Sequence, residues 1–274
     1  MDRERSRTAR VAALLVALLL GPAPAFGQGA DGRFSERRSS HFVLRQDVAL
    51  DQYHGAGGAL EFERMVLDVL EAGHDALEAE YGLRAPGLLE VSVWDPALFD
   101  QRFAGLFRFP AAGFYGGTIH VRGAVAVTNP LRRTLHHELV HASLDAAAPS
   151  LALPAWLNEG LSEWFESRTA GARGRLSPQA WAALEHAGRA GALPSLAQLG
   201  SRSLSQLDPA RASLAYFYSH GVVDHVARRR GGDVLRRLVR ELVRTGDVQR
   251  AFRKAARGTP QEFEVAFRRE LGVR

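Results

Sequence analysis

Residues 136–144 read HHELVHASL, and within them His137, Glu138, Leu139, Val140 and His141 form the pattern H-E-x-x-H. Histidines four apart on an α-helix project from one side, about one turn apart. Two imidazoles so placed reach a single zinc ion at about 2.0–2.1 Å. Glu138 stands beside the first of them, where it can reach a metal-bound water rather than the metal. The plainer reading is an amphipathic helix with a polar stripe. A third ligand separates the two, because catalytic zinc takes three protein ligands and keeps one position open.

Three placements of that ligand are testable. One arrangement needs a glycine three residues and a histidine six residues past the second histidine, but those positions hold Leu144 and Ala147. Asp145 lies four residues past His141, yet roughly 12 Å of helix rise separates it from His137, too far to share an ion. The stretch LPAWLNEGLSEWFE (153–166) reads as a second helix and places Glu159 eighteen residues beyond His141. Glu159 meets the requirement.

HHELVHASL followed by LPAWLNEGLSEWF resembles the gluzincin zinc metallopeptidases, in particular the peptidase MA-like group with its Trp-Leu-x-Glu-Gly turn. The resemblance spans roughly residues 39–272, with its specific motifs at 134–166. It implies one zinc held by His137, His141 and Glu159, with Glu138 as general base. NEGLSE (158–163) is similar to the thermolysin run Asn-Glu-x-x-Ser-Asp, whose last acid orients a ligand histidine. Glu163 holds that place here, one methylene longer. AYFYSHGVVDHVARRRGG (215–232) resembles the family's later helix, where a tyrosine steadies the oxyanion. Spacing to Gly231 and Gly232 selects Tyr216; a competing Tyr-x-x-Gly alignment selects Tyr218 with Gly221. Aminopeptidases of this class carry a glutamate on the strand before the H-E-x-x-H helix, to grip the free amine. No acid stands between Asp100 and Glu138, which favours endopeptidase action on peptide or protein substrates. Three alternatives stay open: an aminopeptidase, a metal-dependent hydrolase of another bond, and a non-catalytic relative whose zinc staples a protein- or cell-wall-binding cleft.

The elements that must position these residues are expected as an α+β fold: a small N-terminal β-sheet with an edge strand beside the cleft, then a mostly helical zincin-like region over 41–272. HFVLR (41–45) and LLEVSVW (88–94) read as strands, and GFYGGTIHVRG (113–123) as one glycine-flanked strand. Helical periodicity runs over 59–80 and again from Leu131, with helices over 131–146, 155–168, 178–188, 209–229, 232–245 and 260–271. Residues 28–40 are a polar, flexible lead-in. Before them, Arg3, Arg5, Arg7 and Arg10 precede the apolar run 11–20 and small residues at Ala23 and Ala25. That is the pattern of a signal peptide over 1–27, and the run is short of the roughly 20 residues a membrane span needs. The expectation is an exported, periplasmic or secreted chain. It contains no cysteine, which excludes disulfides, a thiolate nucleophile and Cys-ligated zinc. Of the 35 basic residues all but Lys254 are arginine, and the net charge is +5. The arginines are dispersed without interleaved aromatics, so a nucleic-acid partner is not expected. His136 is turned about 100° from His137 and is expected to pack or cap.

Overall fold

The alternation of Leu89, Val91 and Val93 does what period-2 patterning requires: all three are buried in a sheet. In this computed structural model the described residues are 12–14, 33–50, 58–201, 203–231 and 233–273. The expected signal segment, apart from Ala12–Leu14, lies outside them, as do residues 28–32 of the lead-in and Gly232. Among the described residues six strands form one sheet: β1 (Ala12–Leu14), β2 (Ser35–Arg38), β3 (Phe42–Gln46), β4 (Leu89–Trp94), β5 (Gly113–Tyr115) and β6 (Ile119–Arg122). Their spatial order is β1-β5-β6-β4-β3-β2. β4 pairs parallel with both β3 and β6, whereas β2 and β5 pair antiparallel with their neighbours.

The helices are α1 (Gly58–Tyr81), α2 (Pro96–Arg102), α3 (Asn129–Ala147), α4 (Ala155–Ser167), α5 (Pro178–Arg189), α6 (Pro209–Arg230), α7 (Val234–Thr245), α8 (Val248–Ala256) and α9 (Pro260–Glu270). A π-helical turn, Arg168–Ala172, follows α4. Asp95, Thr128, Ser177, Asp208 and Thr259 each accept a first-turn N–H, with a proline just inside the helix. Each such cap is worth about 1 kcal/mol, and proline loses nothing where the N–H has no helical partner. α4 starts differently. Pro154 offers no side-chain cap. Instead Ala155 N donates to Ser201 O at 2.7 Å and Trp156 N to Leu199 O at 3.2 Å, so the segment over 199–201 pins the entry of α4.

One apolar core joins Leu44, Val91, Ile119 and Val121 of the sheet to Val66 and Leu70 of α1, Leu135 and Leu139 of α3, and Leu157 and Leu161 of α4. Strands first, helices after: the architecture is α+β, as expected from the order of the patterns.

Three local expectations change. Residues 113–123 are a hairpin, not one strand. Gly117 takes φ +94, a conformation that favours glycine, and the chain reverses there. β5 is bordered on its outer side by β1. Part of the polar lead-in, Ser35–Arg38, is the strand β2, anchored by Ser35 and Arg37 to Glu63 of α1. α2 and α8 were not anticipated; α2 spans only Pro96–Arg102, too short for a helical period to show.

Candidate metal centre

α3 presents His137, Glu138 and His141 towards α4, which presents Glu159. None of the four is more than 3% exposed. His137 Nε2 lies 3.1 Å from His141 Nε2 and 3.3 Å from Glu159 Oε2. His141 Nε2 lies 3.5 Å from Glu159 Oε2. Donors bound tetrahedrally to zinc at about 2.0–2.2 Å stand about 3.3–3.6 Å apart. Two edges of the observed triangle, 3.3 and 3.5 Å, fall in that range, and the third, between the two imidazoles, is slightly shorter at 3.1 Å. Two imidazole nitrogens and a carboxylate oxygen are three lone-pair donors converging on one point, the donor set of a catalytic zinc site.

The surroundings would suit a cation. Burial pushes the Glu138 carboxyl well above the usual carboxylate range, with Glu159 and Glu166 adding to it. Burial likewise raises Glu159, which His141 opposes, and drives the His137 imidazole well below its ordinary value. A bound divalent ion inverts that logic, favouring bare imidazole and ionised carboxylate. Both oxygens of Glu138 are buried without a hydrogen-bond partner among the described residues. A buried carboxylate left unpaired is costly, and here it stands one residue from His137.

The far nitrogen of His137 is also engaged. Its Nδ1 lies 3.1 Å from Glu166 Oε2, and Glu166 Oε1 accepts from Arg133 Nε at 2.5 Å. Glu163, which the thermolysin-like run singles out for this place, is farther away at 3.8 Å. The nearer carboxylate is therefore Glu166, a residue the motif does not mark. A signal for it was present: seven residues make nearly two helical turns, so Glu166 shares a face with Glu159.

His136, Asp145, His220, the tryptophans and Tyr218 have structural duties. His136 donates from Nε2 to Val69 O at 3.0 Å, and its Nδ1 is 2.8 Å from Thr169 Oγ1. It ties α3 to α1 and to the π-turn. Asp145 accepts from the Tyr115 hydroxyl at 2.9 Å, away from the triangle. His220 donates from Nε2 to Gly174 O at 2.8 Å. Trp156 packs on Phe252 and Trp164 on Tyr81. Tyr218 donates to Glu264 Oε1 at 3.1 Å, which turns it towards α9. Tyr216 is buried with its ring 6.5 Å from that of Phe109.

No family model matches the chain, and no curated protein matches it. Among solved structures it is similar to an M1 zinc metallopeptidase from Deinococcus radiodurans, at 16% identity and a TM-score of 0.45, covering 88% of this chain and 51% of that one. A mutant form of the same enzyme gives 15% identity, a TM-score of 0.46, and coverage of 86% and 51%. Yeast LTA4 hydrolase in complex with bestatin gives 16% identity, a TM-score of 0.42, and coverage of 86% and 36%. The chain spans about half the length of the bacterial structures it matches. The overlap is loose, so the functional reading rests on the site's own atoms.

Proposed function

We propose that this chain is an exported zinc-dependent metallopeptidase that cleaves internal peptide bonds. The observation that carries the reading is the triangle of His137, His141 and Glu159 beside the unpaired, buried carboxylate of Glu138. A purely structural zinc site has no use for such a carboxylate. The three ligands would hold one zinc, which when bound supplies a Lewis acid that polarises the scissile carbonyl and lowers the pKa of a water towards about 7. Glu138 Oε takes the proton of the attacking water and returns it to the leaving amine nitrogen. The Tyr216 hydroxyl donates to the oxyanion as it develops. Endopeptidase action is supported by the absence of any acid between Asp100 and Glu138, and export by the signal-like pattern over 1–27. No helix among the described residues is long and apolar enough to cross a membrane.

The test is metal analysis combined with cleavage of a peptide library in both free and amine-blocked form. About one zinc per chain is expected. Glu159→Ala should weaken zinc binding far more than Asp145→Ala, and Glu138→Gln should keep zinc while turnover collapses. Equal zinc losses in the first two variants would remove Glu159 from the ligand set. Turnover of Glu138→Gln within about tenfold of the parent would remove it as the base, given that general bases contribute about 10²–10⁴. Cleavage confined to free amines would replace endopeptidase with aminopeptidase.

A further inference from the structure

The last turns of α6 and the first turns of α9 enclose a pocket of about 250 Å³. α6 lines it with His225, Arg229 and Arg230, and α9 with Glu262 and Ala266. At four-residue spacing Glu262, Ala266 and Glu270 share one side of α9. Glu270 is committed to α6: its Oε2 lies 2.6 Å from His225 Nδ1, and its Oε1 pairs with Arg228 at 2.9 Å. His225 is 2% exposed, yet it borders the pocket, and its Nε2 has no hydrogen-bond partner among the described residues. Buried polar atoms are usually hydrogen-bonded, and the pocket is where this one can find a partner. Charge selects the kind of partner. Arg229 and Arg230 are exposed. Arg230 lies over the Phe263 ring at 5.4 Å and donates to Arg257 O at 3.3 Å, which holds its guanidinium at the rim. Glu262, the acid lining the pocket, is engaged in its helix cap, accepting Thr259 N at 2.7 Å. Among the described residues, His225 belongs to no group of three ligating side chains close enough to share a metal ion. Two guanidiniums against one engaged carboxylate favour an anion.

We propose that this pocket binds a small oxyanion, of phosphate or sulfate size, with Arg229 and Arg230 on its oxygens and the Nε2–H of protonated His225 completing the set. The proton is part of the binding. With Nδ1–H given to Glu270, neutral His225 offers only a lone pair at Nε2, which an anion's oxygen avoids; the imidazolium offers an N–H. Burial holds the imidazole below its ordinary pKa, Arg228 and Arg229 add to that, and Glu270 opposes them. By charge, Arg230 sides with the other arginines and Glu262 with Glu270. The ring is therefore largely neutral at pH 7 in the free pocket and takes up a proton as the anion arrives. Affinity rises as pH falls, by at most about tenfold per unit between the free and bound pKa values.

Calorimetric titration of the full chain with sulfate, whose charge does not change over the range used, tests this at low and fixed ionic strength. Binding should be tighter at about pH 5.5 than at about pH 7.5, and the His225 ring, followed by NMR, should titrate at higher pH once sulfate is bound. Arg229→Gln, at an exposed position, should weaken sulfate binding by about tenfold or more, the usual loss when a hydrogen bond between charged groups is removed. His225→Asn keeps an amide N–H for Glu270 but has no second nitrogen, so sulfate should bind it more weakly and equally at both pH values. Comparing inorganic phosphate with methyl phosphate identifies the source of the oxyanion. Equal affinity assigns the site to phosphate esters and weaker binding of the ester assigns it to the free ion, both being the proposed chemistry. Sulfate affinity unchanged in Arg229→Gln overturns the proposal, as does a His225 titration that sulfate leaves in place. If His225→Asn does not fold, Arg229→Gln and the parent's ring titration decide the matter, and parent-like affinity in the one or an unmoved ring in the other refutes the site.

Discussion

Tyr216 and Tyr218 stand two residues apart on α6, and the structure gives them opposite surroundings. Ser219 marks the side of α6 that meets α4, because its carbonyl is the nearest atom to the space beside Gly160. Tyr216 is rotated about 60° from Ser219 and Tyr218 about 100° in the other direction. The Tyr218 hydroxyl is spent on Glu264, its ring lies against Phe267 and under the Arg268 guanidinium, and Gly221 leaves room for that same phenylalanine. The local Tyr-x-x-Gly run is thus a packing motif for α9. Gly231 has its own reason, since it ends α6 with φ +83. An oxyanion donor removed from such a site costs about 10²–10³ in kcat. Tyr216→Phe should lose turnover on that scale with zinc retained. Tyr218→Phe should keep kcat and lose about 1 kcal/mol of stability, the usual worth of one hydrogen bond. Steady-state kinetics and thermal melts of the two variants check this, and a kcat loss in Tyr218→Phe alone would exchange their roles.

At the scale of elements, the spacing of apolar residues and the proline-marked starts made most of the helical half legible. α3, α4 and α6 run within a few residues of where their patterns predict, and those three carry the site. Spacing along a helix is rigid enough that His137, His141 and their neighbour Glu138 were readable before any fold. What was not readable depends on how elements meet. The choice between Glu163 and Glu166 turns on the phase of α4 against α3, which no single-helix pattern contains. Residues 113–123 read as one strand in the sequence because Ile119 and Val121 alternate cleanly, while the reversal of the hairpin sits in two glycines that also fit a strand's margins. The glycine of the Trp-Leu-x-Glu-Gly turn acquires a physical reason only in the packed state. A Cβ added at Gly160 would lie 2.6 Å from Ser219 O and 2.7 Å from Val223 Cγ2. In an isolated helix, Gly160→Ala gains up to about 1 kcal/mol of propensity. Overpacking costs about 1–3 kcal/mol, and the obstacle here is main chain that cannot rotate aside. Packing should win, so Gly160→Ala should lower the melting temperature and push α6, with Tyr216, away from Glu159. A raised melting temperature would show that α4 and α6 are not packed this closely.

For the molecule as a whole, acidity sets two groups of buried side chains against each other. Carboxyls raised by burial, such as Glu138 and Glu159, gain protons in the fold before the unfolded chain does, so on their own they favour the metal-free fold as pH falls. Buried histidines act in reverse. Burial lowers His74, and takes His120 and His220 to about 4. The unfolded chain therefore binds protons first, from near 6.5 downwards, and stability contributed by these neutral rings is present above that value and lost below it. His74 isolates the effect. It is 1% exposed, neither ring nitrogen has a hydrogen-bond partner among the described residues, and its ring stacks on His41 at 3.9 Å with planes 15° apart. His41 in turn pairs with Glu71 at 2.6 Å. Charge on His74 would meet His41 and Arg84, against Glu71 and Asp75. Phenylalanine keeps the stack and cannot take the proton. In metal-free protein, His74→Phe should match the parent's melting temperature or exceed it slightly at pH 7.5, with the gap widening as pH falls through 6 towards 5. Melting curves that stay parallel over that range would mean that His74 does not titrate differently in the fold, and that its burial is relieved before the proton arrives.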